Sequence, residues 1–68
     1  MSQTELEYQR VRRDEEIARI QQVYADNMAI AAEQFEEQKE QYEKLMAHFA
    51  AIRDRETMAV TERYGLPG

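Results

Sequence analysis

Cysteine and tryptophan are absent from this chain of 68 residues, and neither glycine nor proline occurs before Gly65. Without thiols there are no disulfides and no thiolate metal sites, and a single histidine, His48, is too few for a structural zinc centre. Without internal glycine there is no loop of the kind that cradles phosphate, and residues 1–64 contain no strong turn signal. The longest apolar run covers residues 28–32. That is far short of the ~20 residues needed to cross a bilayer.

An excess of basic charge is also lacking. The net charge is −5 and the isoelectric point about 4.8, with six acids between residues 26 and 47 against Lys39 and Lys44. Arg10, Arg12 and Arg13 form the one basic cluster, and Asp14, Glu15 and Glu16 follow at once. The spacing predicts i,i+4 pairs Arg10–Asp14, Arg12–Glu16 and Glu15–Arg19. Self-neutralised arginines with no aromatic interleaved speak against nucleic acid, and an acidic middle against anionic lipid. The opening stretch, residues 1–5, is acidic and polar where a secretory signal is basic and then apolar. The expected location is the cytoplasm, or a particle assembled in the cytoplasm.

What is present is one apolar stripe that keeps helical phase over residues 17–52. At about 100° per residue, Ile17, Ile20, Tyr24, Met28, Ala31, Phe35, Tyr42, Leu45 and Phe49 fall in a sector about 100° wide, and Ile52 closes the series. Nine alanines, with many Glu, Gln and Arg, and Leu6 and Leu45, add helix propensity. Ser2 with Glu5 makes a capping box, Met1 and Leu6 a hydrophobic staple, and Thr4 with Glu7 a second box. At the other end Gly65 suits a left-handed cap, Leu66 can fold back on Val60, and Pro67 cannot extend a helix.

These signals predict an all-α chain forming a single domain over residues 1–68. One amphipathic helix runs over about residues 4–64, with 65–68 as a non-helical cap. The weak points are Asp26-Asn27 and residues 54–57, where the stripe turns polar. Such a helix needs a partner surface, and the two halves of the stripe mirror each other about residues 34–35. In an antiparallel register Ile17 faces Ile52, Ile20 faces Phe49, Tyr24 faces Leu45, and Arg13 faces Glu56 as a pair of seam charges. An antiparallel coiled-coil-like oligomer and a chain folded on itself as a helical hairpin give the same pairing, and a helix docked on a foreign protein is the third possibility. Gln34-Phe35-Glu36 carries no turn residue.

No residue group announces a chemistry. Glu33, Glu36, Glu37, Glu40 and Glu43 project away from the aromatic stripe and are expected to form a solvated face. His48, beside Leu45 and Phe49, is expected to pack structurally. The serine and threonines have no base at a local spacing that would activate them. The sequence therefore implies no enzyme, no metal and no cofactor. It implies a helical interaction or assembly protein, a homo-oligomeric spacer, adaptor or minor structural component of a larger complex. The rival reading is a small acidic regulator or inhibitor that lays the same stripe on a host protein.

Overall fold

The structure, a computed structural model, describes residues 2–66 and is a helical hairpin. Helix α1 covers Gln3–Phe35 and helix α2 Lys39–Tyr64. The two lie side by side in a rod with extents of 53 × 16 × 14 Å.

Both outer caps form as the sequence implies. The Ser2 hydroxyl accepts a hydrogen bond from the Glu5 backbone N–H at 3.2 Å, satisfying one of the orphan donors of the first turn. Gly65 takes the left-handed conformation at φ 56° and ψ 33°, and its N–H donates to the Thr61 carbonyl at 3.1 Å. The staple residue Met1 and the stop residue Pro67 lie outside the described residues.

The break between the helices falls at neither weak point. Asp26 is held within α1 because Gln22 Nε2, one turn earlier, donates to its Oδ1 at 2.9 Å. Residues 54–57 stay helical, with Arg53 Nε donating to Asp54 at 3.0 Å and the Thr61 hydroxyl donating to the Thr57 carbonyl at 2.9 Å. The chain turns instead over residues 36–38. There the Gln38 N–H donates to the Phe35 carbonyl at 2.9 Å, and the Gln38 carbonyl accepts from Tyr42 to open α2, also at 2.9 Å. Glu36 remains right-handed at φ −52°, Gln38 sits at φ −112°, and no described non-glycine residue has a positive φ. A reversal built this way requires neither glycine nor asparagine.

Moving the turn from 34–35 to 36–38 changes the register. Tyr24 meets Arg53 where Leu45 was expected, and Glu16 meets Arg63. The partners are displaced by about two to three helical turns. The expected facings of Ile17 with Ile52 and Ile20 with Phe49 give way in the same manner, since Ile20 lies beside Ala59 and Val60 while Phe49 lies beside Asn27 and Ala31. Arg13 does not face Glu56: it pairs with its neighbour Asp14 at 3.2 Å, and Glu56 sits with Arg19 and Val23.

Candidate interaction surface

The ten stripe residues Ile17, Ile20, Tyr24, Met28, Ala31, Phe35, Tyr42, Leu45, Phe49 and Ile52 all lie on the faces where the helices meet, and none is solvent-exposed. Only Ala31 among them is buried, at 3% exposure; the other nine are half-buried. A two-helix layer covers the centre of a seam and leaves its two edges open. Closing the edges requires further helices or another surface.

The seam also runs further than the apolar stripe. Leu6, Gln9, Arg13 and Glu16 continue it on α1, and Arg53, Thr57, Val60 and Tyr64 continue it on α2, all of them half-buried or buried. Val60, at 7% exposure, is the second buried side chain among the described residues. These positions keep the phase of the stripe, but the polar side chains of Gln9, Arg13, Glu16, Arg53 and Thr57 interrupt the hydrophobic count. Phase alone, without hydropathy, was the signal that reaches them.

At the open end of the hairpin the polar seam residues form a cluster. Arg63 Nη2 donates to Glu16 Oε1 across the seam. The Tyr64 hydroxyl, together with Arg63, holds the Glu16 carboxyl below its usual range. The same neighbour raises Tyr64, whose phenol ionises less readily beside a carboxylate. Arg12 completes the group, its guanidinium further stabilised by Tyr64. Toward the middle, the Arg53 guanidinium lies 4.4 Å from the centre of the Tyr24 ring and is stabilised as a cation, mainly by Asp54.

The expected pairs Arg10–Asp14, Arg12–Glu16 and Glu15–Arg19 are not among the ion pairs of the described residues, because Asp14 is taken by Arg13 and Glu16 by Arg63. The five middle acids are exposed, as their phase implies. Glu43 pairs with Lys39 at 4.0 Å, and Glu40 with Lys44 at 3.5 Å. His48 is exposed, with its ring tilted at 54° and centred 5.7 Å from that of Phe49. No helix among the described residues is long and apolar enough to cross a membrane.

Two open grooves follow one edge of the seam. The first is lined by Ile20, Val23, Ala59 and Val60, with Glu16, Arg19, Glu56 and Arg63 around it. The second, nearer the turn, is lined by Asn27, Ile30, Ala31, Gln34, Phe35, Leu45 and Phe49. Val23 and Ile30 stand on this edge about half exposed, at 50% and 53%. The other edge is different in kind. It presents Tyr24 and Arg53 with Asp54, and then Ala32 and Tyr42 with Glu33 and Glu36.

No family model matches the chain, and no curated protein and no solved structure matches it either. The surface chemistry is therefore the guide to function.

Proposed function

We propose that this chain is a non-enzymatic helical assembly protein, a hairpin whose half-covered seam is completed by protein, first of all by further copies of itself. On this reading it serves as a homo-oligomeric spacer, adaptor or minor structural component of a larger complex. It works in the cytoplasm or in a particle assembled there, and it uses no cofactor, metal or nucleic acid. The observation that carries the reading is the burial pattern. Of a stripe containing two phenylalanines, two tyrosines, a leucine and three isoleucines, the hairpin encloses only Ala31 fully. A lone core in a chain this short supplies about 3 to 5 kcal/mol even when well filled, and here no disulfide supplements it.

Light scattering combined with circular dichroism over a wide concentration range tests the proposal. The expected result is a strongly helical species of at least twice the 8.1 kDa chain mass. A poorly helical monomer that becomes ordered only on a foreign partner would favour the rival, an acidic regulator docking its stripe on a host protein. A fully helical, stable monomer would contradict both.

A further inference from the structure

The two edges of the seam differ in charge as well as in shape. The edge with Val23 and Ile30 has an apolar centre, neutral Asn27 and Gln34 toward the turn, and two acids balanced by two bases at the open end. The opposite edge carries the unbalanced acids Glu33 and Glu36 near the turn. A second hairpin laid on that opposite edge would cover both acids with no base lining the same groove. On the Val23 edge it would cover balanced charges.

The exposed area sets the size of what is missing. A compact monomer of this mass exposes about 4,500 Å², whereas the hairpin exposes 5488 Å². The excess of about 1,000 Å² is on the scale of the ~800 Å² that each partner contributes to a standard protein interface. One additional hairpin is therefore enough to remove it.

Charge then selects the orientation. Glu16 and Arg63 lie at one level of the hairpin, and Arg19 and Glu56 share the same groove within about one turn. In a copy related by a two-fold axis along the rod, with both turns at the same end, α1 of one chain lies across from α2 of the other. Glu16 then meets Arg63 of the second copy, and Arg19 meets its Glu56, each twice by symmetry. Turning the copy end for end sets the same four charges against Asn27, Gln34 and Phe49, which offer none. Resting on the assembly reading above, we infer that the Val23 edge is covered by a second copy of this chain, turns together, to form a four-helix bundle.

The test uses the full chain. A spin label at the exposed turn, attached through Gln38→Cys in a sequence without other cysteines, reports the distance between turns by pulsed electron resonance. With helix axes 8–10 Å apart, the expected inter-label distance in a dimer is below about 30 Å. A dimer with labels separated by nearly the 53 Å rod length overturns the orientation and leaves the assembly reading standing. A monomer by light scattering overturns both. Val23→Glu, which buries a charge on the proposed edge, is expected to weaken dimerisation at least tenfold, taking about 10-fold as the lower bound for an unpaired interface charge. Met58→Glu, at a position 63% exposed and outside both grooves, is expected to change it by less than about twofold. Equal effects of the two substitutions overturn the choice of edge.

Discussion

Phe49 lines a groove with Ala31 and Leu45, its ring is tilted against that of His48, and the residue is only half-buried. Phe49→Ala is therefore expected to cost about 2 kcal/mol, below the ~3 to 5 of a fully enclosed phenylalanine. Urea unfolding at fixed protein concentration measures it. A loss under ~0.5 kcal/mol would place the ring in solvent. Glu16 gives a second test at this scale. Its carboxyl is held below the ordinary value of 4.5, chiefly by Tyr64 and then by Arg63, so the unfolded chain takes up its proton first as the pH falls. Its contribution is complete above that value and is lost as the pH falls through the depressed folded value. Tyr64 is raised above 10.0, so its share is intact below that pH and is lost as the pH rises through the raised value. Unfolding midpoints followed from about pH 7 to about pH 3 are expected to fall less steeply for Glu16→Gln than for the parent. Parallel curves would contradict the cross-seam contact. The stripe residues were legible because apolar side chains mark phase, whereas Glu16 and Arg63 continue the seam with charges, and a hydrophobic count reads charges as surface.

The two helices were legible at their outer ends for a chemical reason: Ser2 and Gly65 supply a side-chain acceptor and a left-handed residue that few other residues provide. Gly65→Ala is expected to cost about 1 kcal/mol, because a Cβ at φ 56° is strained even with room around it. An unchanged unfolding midpoint would mean that the cap relaxes freely. The inner ends were not legible. The reversal at 36–38 keeps φ negative, with Glu36 right-handed and Gln38 at φ −112° and ψ 74°, so it requires no glycine, and the Gln38 side chain makes no cap. Nothing in Glu36-Glu37-Gln38 therefore distinguishes a turn from a continuing helix, and moving the turn changes every partner across the seam. Lys39→Pro separates the alternatives. At the first position of α2 a proline is tolerated, with a change within about 1 kcal/mol, whereas inside a continuous helix it costs ~3 kcal/mol. Thermal unfolding of the variant reads the difference, and a loss of the larger size would contradict a helix start at residue 39.

At the scale of the whole molecule, the hairpin is a single layer two helices wide. α1, with 33 residues, outruns α2, with 26, and Tyr8 and Val11 are exposed near its N-terminus. Folding such a chain alone would order 59 helical residues around two buried side chains. Conformational entropy of about 1 to 2 kcal/mol per backbone residue makes that a poor exchange unless more apolar surface is removed from water. On the proposed reading self-association would supply that surface, and folding would then depend on concentration. The fold class followed from periodicity and caps, while the edge proposed for a second copy rests on the charges flanking the two edges, which become visible only once the register is fixed. The most direct test is an isotope-filtered nuclear Overhauser experiment on a mixture of ¹³C-labelled and unlabelled chains. Intermolecular contacts are expected from the methyl groups of Val23 and Ile30, and none from Met58. A helical sample in which every contact of Val23 and Ile30 is intramolecular would contradict that expectation.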